Sequence, residues 1–170
     1  MNQPLIIVDV LKSVVEKMTV VGHSSIYFEA GRAIHIIKRL TEKDLSIGLK
    51  DSKYPLVAVF LPIRESFDDG YYCNAVIEKI MIATLTDPMT PVMDRYAVGG
   101  TFKSVLYPCY YEFKRQLALH GNVIGSDPDS FKHTKIDNPA VLPAGEGLND
   151  YIDSIEILNL EVTFSQTKTC

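Results

Sequence analysis

Two apolar runs dominate the pattern of the chain. The first, Tyr54-Pro-Leu-Val-Ala-Val-Phe-Leu61, is short, β-branched and aromatic, with Pro55 at its entrance and Pro62 at its exit. That combination predicts a strand buried on both faces. The second, Cys73-Asn-Ala-Val-Ile-Glu-Lys-Ile-Met-Ile-Ala-Thr-Leu-Thr86, is apolar in both alternation phases around Ile80 to Ala83. It also reads as a mid-sheet strand, because it follows an Asp- and Gly-bearing turn and ends in Thr-Leu-Thr. A helical reading stays open, since Val76, Ile77, Ile80 and Met81 also share one helical face.

The flanking segments read as covering for this pair. Leu5, Val8, Leu11, Val15 and Met18 recur at three- and four-residue steps, which predicts an amphipathic helix with Asn2 as cap, Pro4 at its first position and Gly22 as its stop. Ser25 to Glu29 reads as a short strand stopped by Gly31, and Arg32 to Thr41 as a short helix burying Ala33, Ile36, Ile37 and Leu40. A long helix is predicted from Asp94 or Thr101 to His120, with Gly121 as stop and a buried stripe of Phe102, Val105, Leu106, Cys109, Phe113 and Leu117. Gly99-Gly100 should loosen its start, and Pro108, lacking an N–H, should kink it. From Asn122 to Asn149 the chain has no sustained periodicity, which predicts a long loop, and loops of that length are usually functional or disordered. In the last run, Tyr151 to Phe164, Ile155 and Ile157 hold one alternation phase while Leu158, Leu160, Val162 and Phe164 hold the other. Such a phase change predicts a bulge near Ile157-Leu158, or a strand that starts only there.

Between the two central runs lies a polar tip, Arg64 to Tyr72, turning at Asp69-Gly70. Its aromatics Phe67, Tyr71 and Tyr72 either fold back on the strands or form a contact surface for a partner. Glu78 and Lys79 interrupt the most buried-looking run. An unpaired buried charge costs too much to persist, so they either pair beside a ligand pocket or reach a rim or subunit interface, and the interface is the favoured reading.

Composition narrows the class. With 170 residues the chain fits one domain, large enough to bury roughly two thirds of its unfolded surface without staples. Hydrophobic residues at 46% and charged residues at 22%, with a net charge of -4, give no electrostatic reason to bind nucleic acid. The basic doublets Lys38-Arg39 and Lys114-Arg115 are too separated to predict a phosphate-tracking groove. Cys73, Cys109 and Cys170 form no C-x-x-C and read as reduced thiols of a chain made in the cytoplasm. No apolar run approaches the length needed to span a bilayer, and Asp9, Lys12, Glu16 and Lys17 break up any signal-like core. No membrane association is expected.

A search for chemistry returns little. There is no phosphate-binding Gly-rich loop, dinucleotide fingerprint, H-E-x-x-H or nucleophile elbow. Asp127, Asp129, His133 and Asp137 lie close in sequence, but their spacing matches neither a calcium loop nor a zinc pattern, and solvated turn residues are the expected reading. Cys109 could act as a nucleophile only beside a base such as His120 or His35, which the sequence does not place there. No catalytic residue, metal or cofactor is therefore assigned, and a small-molecule enzyme or ligand-binding α+β domain stands as an alternative drawing on Glu78, Lys79, Cys109 and His120.

The order of elements runs helix, short strand, short helix, the Tyr54-Pro-Leu-Val-Ala-Val-Phe60 strand, a hairpin to the strand ending Ile82-Ala-Thr-Leu-Thr86, a helix carrying Val105-Leu-Tyr-Pro108, a long loop, and a last strand beginning Tyr151-Ile-Asp-Ser-Ile-Glu-Ile157. Over Leu5 to Phe164 this order resembles the tail-terminator or tail-completion proteins of the necks of long-tailed bacteriophages. The resemblance implies one α+β domain over 1–170, with a mostly antiparallel sheet of about four strands packed by the N-terminal helix and the long kinked helix. Residues 122–149 would be a loop insertion and 165–170 a frayed tail. It further implies a non-enzymatic virion protein forming a homo-oligomeric ring, commonly of six, that caps the tail tube and meets the head connector. The expected partners are the tail-tube and head-connector proteins, with DNA passing through the ring without sequence-specific binding. A head-completion or connector protein of the same neck is the nearest alternative. On this reading the contact residues are Phe67, Asp68, Asp69, Tyr71 and Tyr72 at the tip, Glu78 and Lys79 beyond it, and Phe131 and His133 in the long loop.

Overall fold

In the computed structural model, which describes residues 5–46, 52–68, 71–142 and 149–166, the two central runs are adjacent antiparallel strands, β2 (Leu56–Asp68) and β3 (Tyr72–Leu85). They sit inside a five-stranded α+β sheet of order β1-β2-β3-β5-β4. Strand β1 (Tyr27–Gly31) runs parallel to β2. Strands β4 (Thr134–Val141) and β5 (Ile152–Ser165) complete the sheet with antiparallel pairings. The sheet is thus mixed and has one strand more than the sequence pattern indicates. The extra strand, β4, lies inside the stretch predicted as a long loop. Of its residues Thr134-Lys-Ile-Asp-Asn-Pro-Ala-Val141 none is buried, and one is a proline. An edge strand needs no apolar alternation, and so leaves little trace in the sequence.

One sheet face carries the main core. Helix α1 (Ile7–Glu16) buries Ile7, Val10, Leu11, Val14 and Val15. It shares that face with α4 (Tyr107–Leu119) and the π-helical turn Phe102–Leu106 that leads into α4. Pro4 lies outside the described residues, and Leu5 is already non-helical, its N–H donating to the Gln166 carbonyl at 3.4 Å. The predicted stripe on the long helix holds: Phe102, Leu106, Cys109, Phe113 and Leu117 are buried. The predicted long helix is present from Thr101, the second of its two expected starts: it is unbroken over 101–119, and a π-helical turn stands just before Pro108, where the sequence predicts a kink. A short α3 (Val92–Arg95) stands apart, and Pro108 falls in the first turn of α4, directly after the wide π-helical turn. The proline is accommodated where the π-helical turn widens the hydrogen-bond ladder, the Tyr107 N–H donating to the Phe102 carbonyl five residues back.

The opposite sheet face is covered at one end only. Helix α2 (Ala33–Leu45) lays Ile36 and Leu40 on Leu56, Ala58, Met81, Ala83 and Ile152. The other end of that face is polar, with Arg64, Ser66, Asn74 and Glu161.

The phase change read in the last run is present, but without the bulge or the late strand start expected with it: β5 is continuous over Ile152–Ser165, and the change crosses three strands at one level. In β5 the buried set passes from Ile155 and Ile157 to Leu160, Val162 and Phe164, with Asn159 between them at φ 53°. In β3 it passes from Cys73, Ala75 and Ile77 to Ile80 and Ile82, with Glu78 and Lys79 between. In β2 the pairing slips by one residue between Phe60 and Ile63. Asn159 accommodates the left-handed backbone that most side chains resist. The β3–β5 register therefore keeps one offset from Tyr72↔Ser165 to Leu85↔Ile152.

Candidate interaction surfaces

The hairpin tip follows from strand length. β2 and β3 stay paired to Phe67↔Cys73 and Asp68↔Tyr72, so the segment expected as a polar tip is mostly strand. β1 covers the outer edge of β2 only from Leu56 to Phe60, which leaves Ile63 to Asp68 as a sheet edge. Phe67, Tyr71 and Tyr72 are exposed there rather than folded back into the core. Asp69 lies outside the described residues, and Asp68 is placed by its backbone alone.

Glu78 and Lys79 fall at the level of the phase change, which is why a charge can stand in the middle of an apolar strand. Glu78 is half-exposed and 3.6 Å from Arg64 across the hairpin. Lys79 pairs with Glu156 of β5, and its ammonium lies 5.3 Å from the Phe60 ring centroid. Both charges are therefore compensated within the chain. The Lys79–Glu156 pair borders a groove of about 560 Å³ between α2 and the end of β4, walled by Ile37, Leu40, Met81, Val141 and Leu142.

Phe131 and His133 belong to neither surface. Phe131 is packed in the main core. His133 is half-buried beside α4: its Nδ1 is 2.7 Å from the Phe131 carbonyl, which accepts, so Nε2 accepts from the Tyr110 hydroxyl at 2.6 Å. Other members of the acidic cluster are dispersed. Asp127 accepts from the Asp129 N–H, Asp129 pairs with Lys114 at 2.5 Å, and Asp137 accepts from the Tyr107 hydroxyl at 2.8 Å and from Lys135 at 2.6 Å. Among the described residues no group of three or more His, Cys, Asp or Glu converges as a metal site. Cys109 is fully enclosed, and burial alone pushes its thiol up to about 12. It is not a nucleophile at neutral pH. His120 has its pKa lowered by burial first and by Lys17 second.

A second surface escaped the sequence reading. The Pro- and Met-rich turn after β3 displays Met89, Met93 and Val98 at 85, 79 and 93% exposure. It is anchored from beneath by Arg95, which is buried. The Arg95 guanidinium donates to the carbonyls of Asp87 and Thr90, to the Thr86 hydroxyl and to Asp153. The signal was the run Asp87-Pro-Met-Thr-Pro-Val-Met93 itself: apolar side chains in a turn with no helical or strand period are not core by pattern. This surface adjoins Leu85, and the aromatic tip adjoins Tyr72, so the two stand at opposite ends of β3. No helix among the described residues is long and apolar enough to cross a membrane.

No protein-family model, curated protein or solved structure matches the chain.

Proposed function

We propose that the chain is a structural subunit of a bacteriophage neck, a tail terminator that forms a ring, caps the tail tube and joins it to the head connector. The observation that carries this reading is the pair of unlike surfaces at the two ends of one rigid sheet: an aromatic tip on a sheet edge, and a Met-rich turn held by a buried arginine. A subunit that must touch a neighbour in its ring and a different protein along the axis needs two such surfaces, and large exposed apolar patches mark interaction sites. The order of elements resembles that of the tail-terminator proteins, and the expected ring of six rests on that resemblance. The catalytic role weighed for Cys109 finds no support in its enclosed, neutral thiol.

Native mass over a hundredfold concentration range tests the proposal. The expected result is one assembly at an integral multiple of 19.0 kDa that binds the open end of tail tubes. A monomer at high concentration that ignores tube protein overturns it. Capture of portal or connector protein without affinity for tube would instead assign the chain to head completion.

A further inference from the structure

Among the described residues the fold sorts the sulfur-bearing side chains into two sets. Cys73, Cys109, Met18 and Met81 are buried, whereas Met89 and Met93 are almost fully exposed, and both stand in the one turn after β3. That turn is built, not frayed. Arg95 clamps it from beneath through the carbonyls of Asp87 and Thr90. The Met89 N–H donates to the Asp87 carboxylate at 2.9 Å, the Thr90 N–H to the Asp87 carbonyl at 3.1 Å, and the Tyr96 N–H to the Met93 carbonyl at 3.1 Å. Display of the two thioethers is therefore a fixed property of the fold. Leu85, Val92 and Val98 are exposed in the same stretch and make the surface apolar around them. A leucine at either position would supply similar apolar area, but only a thioether can be turned polar by an oxidant. The thiols do not compete for that oxidant, because burial encloses Cys73 and Cys109 and raises both toward the protonated form.

We propose that Met89 and Met93 are an oxidation site at which hydrogen peroxide converts the Met-rich surface from apolar to polar and so switches off docking there. At each residue the thioether sulfur attacks one peroxide oxygen, the O–O bond breaks, an S–O bond forms, and water leaves with the second oxygen. The sulfur loses two electrons and the peroxide gains them, so the products are one sulfoxide and one water. The clamp under the turn contains neither sulfur, so the scaffold survives the reaction. What changes is the surface, which gains two S–O dipoles that a docking partner would have to strip of water. A partner already seated on the turn shields both sulfurs, so the undocked chain is the form that reacts. Methionine sulfoxide reductase reverses the step. The oxidation site stands on exposure alone; that the surface receives the axial partner rests on the neck reading above.

Graded hydrogen peroxide treatment of the full chain, read by peptide mass mapping, tests the site. In the native protein Met89 and Met93 should gain oxygen at least about tenfold faster than Met18 and Met81, which react only as the fold opens. In denaturant all four should react alike. Retention on a hydrophobic-interaction column should fall on oxidation and return after treatment with methionine sulfoxide reductase. Met89→Leu/Met93→Leu removes both sulfurs and keeps the surface apolar, so peroxide should leave its retention where it started. Capture by assembled tail tubes should follow the same pattern: lost by wild type on oxidation, regained on reduction, and indifferent to peroxide in the double variant. Native rates that do not separate the two pairs overturn the site. Oxidation confined to Met89 and Met93 that leaves column retention unchanged overturns the switch. Retention that falls while oxidised and reduced chains hold tubes equally overturns the docking role of the turn, and the switch with it. A wild type that never holds tubes, oxidised or reduced, overturns the neck reading alone, and the mapping and the column then decide the site and its change of surface.

Discussion

Arg95 and Asp153 form an ion pair at 2.6 Å with 2 and 0% of their surfaces exposed. The pair joins α3 to β5, and Asp153 also accepts from the Thr101 hydroxyl and from the Ala140 N–H at 2.7 Å. Burial drives the Asp153 carboxyl upward, but the hydrogen bonds from Thr101, Ala140, Arg95 and Thr86 outweigh it and leave it below the usual carboxylate range. One carboxylate thus fixes the Met-rich turn, the entry to the π-helical turn and the end of β4. α3 and β4 are short, whereas the π-helical turn also rests on Phe102 and Leu106, both buried in the main core.

Asp153→Asn should therefore be among the most damaging single changes in the chain. It leaves the Arg95 charge buried without its counter-ion, a situation that costs about 3–5 kcal/mol. For a domain of this size that lowers Tm by roughly 6–20 °C, measurable by calorimetry. Met89→Ser/Met93→Ser, by contrast, should leave Tm nearly unchanged, since both side chains are exposed. The same double change should weaken capture of the axial partner, which a pull-down with assembled tail tubes would show.

Gly100→Ala should be costly for a different reason. The sequence suggests that Gly99-Gly100 loosens the helix start, but the structure shows a close approach instead. A Cβ on Gly100 would stand 2.3 Å from the Asp94 carbonyl oxygen and 2.4 Å from that of Arg95. Backbone cannot step aside as a side chain can, so α3 and the π-helical turn would have to separate. The expected loss is about 1–3 kcal/mol, whereas Gly99→Asn, at φ 86° in open space, should cost well under that. Chemical denaturation of the two variants separates them.

What was legible in the sequence tracks how each element is stabilised. The two central strands, α1 and the buried stripe of α4 carry their own apolar patterns, and those survive because the helices bury one face in the main core while β2 and β3 bury both faces, one in each of two clusters. The phase change in β5 was legible for the same reason. β4 was not, because its stability comes from backbone pairing with β5 rather than from side-chain burial. The parallel pairing of β1 is a property of its connection through α2, which no local pattern encodes. Among the candidate contact residues, Phe67, Tyr71 and Tyr72 were legible as aromatics around a polar turn. Phe131 was misplaced because a core residue inside a non-periodic stretch looks the same as an exposed one. Arg95 and Asp153 were overlooked because a buried ion pair spans 58 residues of sequence and neither member is unusual alone.

Both described cysteines should resist alkylation in the native state. Cys109 is enclosed and its thiol is pushed up to about 12 by burial, and Cys73 is raised by burial first and by Glu65 second. Thiolate is the reactive species, so iodoacetamide at pH 8 should label neither until the chain unfolds. Peptide mass mapping with and without denaturant checks this. Rapid native labelling of Cys109 would mean that α4 opens locally from the sheet, far below the global unfolding free energy.

The last prediction concerns acid. Glu112 on α4 accepts from Arg115 at 2.7 and 2.8 Å, from Gln116 at 2.9 Å and from the Thr19 N–H at 3.4 Å, which ties α4 to the exit of α1. The Arg115 hydrogen bonds are the largest influence and hold its carboxyl down at about 2, against the opposing pull of burial. The unfolded chain would titrate it near about 4.3. A carboxyl lowered on folding contributes stability that is complete above the unfolded value and is lost as pH falls through the folded one. Arg115 is half-exposed, so solvent screening reduces the contribution to about 1 kcal/mol. Glu112→Gln should thus be less stable than wild type at pH 6, and the difference should shrink between pH 4.3 and pH 2 and be largely gone below that. Molar salt should narrow the gap at pH 6. A gap that stays constant with pH would mean that Glu112 acts through its packing and amide-like hydrogen bonds, which glutamine can only partly reproduce, and not through its charge.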